Sequence, residues 1–144
     1  PELMFAAPSA RLVGWEIALA ELVFARHSVP FTWGTNDCVT FAADAVAAVT
    51  GIDPIAPIRG TWHDRASADA ALTAFCGFAS AERAMEVVAE QLALPRVPAT
   101  LARRGDVVAI DGMLAVVTGA GAAAPGRRGL VFDTPPADAA AWRI

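Results

Sequence analysis

Cys38 is the residue best placed to do chemistry. It closes the run Phe31-Thr-Trp-Gly-Thr-Asn-Asp-Cys38, immediately ahead of an Ala-rich segment with helical spacing. A thiol at a helix N-terminus meets free N–H groups and the positive end of the dipole, which lower its pKa from about 8.5 and favour the nucleophilic thiolate. Gly34 allows close backbone approach, and Asp37 can orient the loop or cap the helix. The competing reading makes Cys38 a small buried hydrophobe and Asp37 a cap alone.

A nucleophile needs a proton acceptor, and the chain has two histidines. His27 falls at the end of the first helical segment, where a positive imidazole suits the dipole. His63, in Gly60-Thr-Trp-His-Asp-Arg65, has Asp64 beside it to orient the ring, on a loop able to fold toward Cys38. It is the candidate surrogate base, against a solvated loop histidine. Cys38 and Cys76 form neither a Cys-x-x-Cys pair nor a disulfide framework, so both are expected as free thiols. No metal or cofactor site is expected. The glycine-rich stretch Gly119–Gly126 neither opens a helix nor presents a phosphate-loop Lys, and is expected as a flexible hairpin tip.

These residues must be held by helices in the first two thirds of the chain and strands in the last. A first helix is predicted from about Ser9 to Arg26, with Leu12, Trp15, Ile17, Leu19, Leu22, Val23 and Phe24 on one broad face. Ser28-Val-Pro30 ends it. Asn36 or Asp37 caps a second helix that runs through Phe41, Val46 and Val49 to Gly51. Pro54, Pro57 and Gly60 mark an irregular connection. Ser67 caps a third helix to about Cys76, and Ser80 a fourth to about Leu92. Pro95 and Pro98 close the helical half.

Strands are predicted at Asp106–Ile110, Met113–Thr118, Leu130–Phe132 and Ala141–Ile144, with Asp111-Gly112 as a two-residue hairpin turn. Helices followed by an antiparallel sheet argue a single α+β domain. The four tryptophans are expected as partly buried packing residues, with Trp62 also able to anchor an interface.

Composition narrows the function classes. The 144 residues carry a net charge of −4, and every basic residue is Arg. Arg103-Arg104 and Arg127-Arg128 are isolated pairs rather than a basic stripe, so nucleic-acid binding lacks its electrostatic footprint. No apolar run approaches the roughly 18 to 20 residues that span a bilayer, and a soluble protein is expected. The start, Pro1-Glu-Leu-Met-Phe5, has no secretory pattern, so synthesis in the bacterial cytosol is expected.

Trp33-Gly34-Thr-Asn-Asp37-Cys38 and the later Gly105-Asp106-Val-Val resemble the NlpC-type branch of papain-like cysteine peptidases, where an aromatic-Gly-x-x-Asp-Cys opens a helix and Gly-Asp begins the sheet. Residues 10 to 144 also resemble a small family of bacteria and tailed phages, marked by Phe-x-Trp-Gly-x-x-Asp-Cys, a following Thr-Gly, the Gly-Asp strand and a terminal Ala-Trp-Arg. The resemblance implies a papain-like fold with Cys38 at the nucleophile position. It also implies a His at the start of the strand after Gly-Asp, where this chain has Met113, or Leu114 in the adjacent register. Neither accepts a proton.

Three functions follow. The preferred one is a catalytically degenerate domain serving as a structural part of a phage or phage-like tail, at its tip, hub or baseplate, with other tail proteins as partners and no nucleic acid or membrane insertion. The second is a cysteine peptidase or amidase on peptidoglycan peptides, with Cys38 as nucleophile and His63 or water as base. The third is a bacterial module that holds a peptide or partner without cutting it.

Overall fold

A computed structural model describes residues 11–144. Helices α1 (Trp15–Arg26), α2 (Cys38–Thr50), α3 (Arg65–Cys76) and α4 (Ala81–Leu92) precede strands β1 (Arg96–Pro98), β2 (Val107–Ile110), β3 (Met113–Thr118), β4 (Gly121–Gly126), β5 (Gly129–Asp133) and β6 (Ala140–Trp142). The strands form one antiparallel sheet in the order β1-β6-β2-β3-β4-β5. The architecture is α+β. The amino-terminal run tested for a secretory pattern and the predicted start of the first helix lie outside the described residues.

Helix α2 is the centre of the molecule. Its side chains Phe41, Val46 and Val49 are fully buried, in one core with Val107, Ala109, Leu114, Val116 and Ala123 of the sheet. Alternation along the strands turns Val108, Ala115, Ala122 and Ala141 to the opposite face, where Ala99 joins them. Each large side chain buried in that core contributes about 1.5–3 kcal/mol. Truncating Phe41 to Ala would cost about 3–5 kcal/mol, because the surrounding helix and sheet cannot fully collapse on the void.

Three expectations are corrected. Helix α1 is entered through Gly14 at φ 83°, so Leu12 lies outside it, and Ile17 and Phe24 face solvent rather than the core. The expected flexible tip at Gly119–Gly126 is largely strand β4, pairing with both β3 and β5. Small residues without β-branching concealed it, yet ladder bonding to two neighbours needs no propensity of its own. The N-cap of α3 is Asp64 rather than Ser67; the Ser67 hydroxyl instead closes the capping box from the third helical position. The third and fourth predicted strands correspond to β5 and β6, and β1 was not anticipated at the prolines that enclose it. Among the described residues no helix is long and apolar enough to cross a membrane.

Asp106, fully buried, fastens the two ends of the described chain to the sheet. Its carboxylate accepts from Arg11 Nη2 at 2.8 Å, Arg143 Nε at 2.9 Å, the Arg103 N–H at 2.8 Å and the Ile144 N–H at 3.0 Å. Arg11 also lies over the Trp15 ring, 4.3 Å from its centroid. Burial pulls the Arg11 guanidinium below its ordinary range, and the Asp106 charge opposes that shift. Gly105 holds φ at 93°, and a Cβ there would lie 3.0 Å from Arg11 Nη1.

Candidate functional site

The loop ahead of α2 is fixed before the helix begins. The Asn36 side-chain amide donates to the carbonyls of Val29 and Pro30 and accepts from Arg26 at 3.0 Å. Backbone bonds between Thr32 and Asn36 close a tight turn. Within it Gly34 has φ 83°, and a Cβ would stand 2.1 Å from the carbonyl oxygen of Trp62. Glycine is therefore required both by the backbone angle and by the approach of the Trp62 strand of chain.

Asp37 then turns the loop into a helix. One carboxylate oxygen accepts from the Thr40 N–H at 2.8 Å; the other accepts from the Gly34 N–H at 2.8 Å and from Trp62 Nε1 at 2.7 Å. The Thr40 hydroxyl completes a capping box by accepting from the Asp37 N–H at 2.8 Å. Asp37 thus caps and orients at once, and ties the connection after α2 to the loop before it. Trp62, considered as an interface anchor from sequence, is buried and directs its indole N–H inward.

Cys38 occupies the first position of α2, partly exposed, on the wall of a cavity of about 450 Å³. Phe31, Trp33, Trp62 and Leu72 supply much of its apolar lining, and Met113 closes the side contributed by the sheet. Phe31 and Trp33 meet edge to face with ring centroids 4.9 Å apart. Leu114, the next residue of β3, is buried, and its backbone N–H favours the sulfur's anionic form. The two sequence positions expected to hold a lost His are thus beside Cys38, one on the cavity wall and one through its backbone.

The thiol's acidity differs from the expectation. Burial pushes the Cys38 pKa up, and the Asp37 charge adds to that shift. The N–H groups of Leu114, Cys38 and Val39 work the other way without prevailing. The helix N-terminus acts as expected, but desolvation of a thiolate outweighs it. Among the described residues no side chain hydrogen-bonds the sulfur.

His63 is not brought to the site. Its side chain is 83% exposed, with Nε2 3.6 Å from Asp64, and it does not line the cavity. Asp64, expected to orient the ring, instead accepts from the Ser67 hydroxyl and N–H to cap α3. Those bonds hold the Asp64 carboxyl below its usual range. His27 ends α1, exposed, as expected. Cys76 is a free thiol packed against the core. No group of residues able to hold a metal occurs among the described residues.

Three polar residues at the cavity were not singled out from sequence: Arg65 and Asp69 from α3, and Asp111 from the β2–β3 turn. Arg65 and Asp69 are one helical turn apart, with 3.7 Å between charged atoms, a spacing legible in the sequence. Asp111 was visible only as half of a turn signal, and its φ of 51° fits that role. A family model described as a domain of unknown function, DUF6950, matches residues 10–144. No protein of curated function matches the chain, and no solved structure does.

Proposed function

The chain belongs to the DUF6950 family, and from that premise we propose a catalytically degenerate papain-like domain of the NlpC type, working as a structural component of a phage or phage-like tail. One observation carries the loss of catalysis: Cys38 stands at the head of α2 on a cavity wall with no proton acceptor bonded to its sulfur among the described residues. Burial pushes the Cys38 thiol pKa up. The positions where the resemblance places the base are Met113 and Leu114.

The tail setting, and partners at the tip, hub or baseplate, rest on the resemblance of the Trp33–Cys38, Gly105-Asp106 and Ala141-Trp-Arg143 motifs to a family of bacteria and tailed phages. The physical chemistry is consistent with a framework kept for its shape. The two aspartates at the centre of these motifs, Asp37 and Asp106, are buried and hydrogen-bonded, which supports the fold whether or not a nucleophile works.

Replacing Cys38 with Ser in a phage that encodes this chain tests the reading. Particle assembly and infectivity are expected to stay unchanged; loss of infectivity from a stably folded Cys38→Ser protein counts against it. The peptidase reading retains one favourable observation, the opening of the sulfur onto the cavity near the Leu114 N–H. Without an imidazolium the leaving amine loses general-acid help of about 10²- to 10⁴-fold. Cell-wall fragments incubated with the purified chain are expected to remain uncut, and cleavage that disappears in Cys38→Ser would restore the peptidase.

A further inference from the structure

Helix α1 is apolar on two sides. Leu19 is buried and Leu22 and Val23 pack against the core, while Ile17 is 67% exposed and Phe24 85% exposed on the outside. Ile17, Ala20 and Phe24 follow one another at spacings of three and four residues, so they form a single stripe along the helix. Val13, fully exposed just ahead of the helix, extends the apolar surface. An apolar stripe on the outer side of a helix has no core to meet unless something covers it, and nothing among the described residues covers this one.

The stripe carries a charge signature. Glu16 and Glu21 flank it on opposite sides, in the positions that set partner choice when helices pair along an apolar seam. Neither carboxylate has an ion-pair partner among the described residues. Arg11 is paired with Asp106 and Arg26 with Asp44, while Arg104, which lies near Trp15 and lines a cavity with Glu16, forms no ion pair among the described residues. A second copy of α1 would set Glu against Glu whether the helices ran parallel or antiparallel. Residues 1–10 contain Glu2 and no Lys, Arg or His, so they bring no side-chain cation to either glutamate.

We infer that the outer face of α1 docks an amphipathic helix of another protein, whose apolar seam is edged with Lys or Arg. This surface lies outside the Cys38 cavity and depends on neither the loss of catalysis nor the tail setting. The partner seats its apolar residues around Ile17 and Phe24, and its cations meet Glu16 and Glu21.

The test uses the full chain and two designed helical peptides about three heptads long, both with Leu along the seam, one edged with Lys and the other with Glu. Binding is followed by fluorescence anisotropy. The Lys-edged peptide should bind roughly tenfold or more tightly than the Glu-edged one, and weaken as salt is raised. Ile17→Glu combined with Phe24→Glu should abolish binding while leaving the circular dichroism spectrum and urea midpoint intact, since both side chains are exposed. Glu16→Lys with Glu21→Lys should reverse the preference between peptides. The proposal is overturned by absence of binding, by equal binding of both peptides, by self-association that depends on Ile17 and Phe24, or by binding only after residues 1–10 are removed.

Discussion

Two buried aspartates organise this protein, and they are satisfied in different currencies. Asp106 accepts from two guanidinium groups and two backbone N–H groups, so its charge is neutralised inside a closed clasp. Asp37 accepts from neutral donors, the Gly34 and Thr40 N–H groups and the Trp62 indole. Its charge therefore stays uncompensated beside Cys38, where it raises the thiol pKa further. A carboxylate bonded by cations closes structure; one bonded by neutral dipoles remains an electrostatic neighbour to whatever the adjoining cavity holds.

The sharpest break of this comparison is Asp106→Ala. It leaves Arg11 and Arg143 facing one another without their shared anion and two N–H groups without an acceptor, for a loss of about 3–5 kcal/mol in urea unfolding. A loss below about 1 kcal/mol would mean that the clasp is solvated and contributes little. Asp37→Ala should cost somewhat less, about 2–4 kcal/mol, because cap, turn and indole bonds go together but no cation is stranded. A cost near 1 kcal/mol would reduce Asp37 to an ordinary cap.

Trp62→Phe isolates the indole bond while keeping most of the buried ring, and should cost about 1–2 kcal/mol. Combined with Asp37→Ala, it should add much less than its separate cost, since the bond is already gone; full additivity would show that the 2.7 Å contact carries no energy.

The smallest effect is alkaline. With no Lys or Tyr in the sequence, the Cys38 thiol is the group of interest in the alkaline range. A thiol whose pKa is raised by folding holds its proton more tightly in the native state than in the unfolded chain. Its contribution is present below the unfolded thiol pKa and is lost as pH rises through the thiol range. The native protein should therefore lose more stability than Cys38→Ala between pH 7 and 10. Alkylation of Cys38 at pH 7 should likewise be slower than that of an unfolded thiol, and faster labelling would show an activated nucleophile.

Local chemistry made part of this legible. A capping residue, Asn36 or Asp37, before an Ala-rich run and Gly51 after it marked α2, with the structure choosing Asp37; Ser80 marked the start of α4, and Asp111-Gly112 the β2–β3 hairpin, each through the turn or cap those residues supply. Strand β4 stayed hidden because Gly-Ala-Ala-Ala-Pro-Gly has no β-branched residue and pairs only because β3 and β5 flank it. The absence of a histidine after His63 was likewise complete in the sequence.

What the sequence by itself determined about the site is that Cys38 heads a helix and that Met113 and Leu114 bear no base. Tertiary structure decided the rest. Trp62 reaches Asp37 across 25 residues, and Arg11 reaches Asp106 across 95. Desolvation of Cys38 depends on β3 and the aromatic walls folding around it. Caps and turns are fixed by neighbours a few residues away. Burial and long-range donors are properties of the assembled core, and they set how readily the Cys38 thiol ionises.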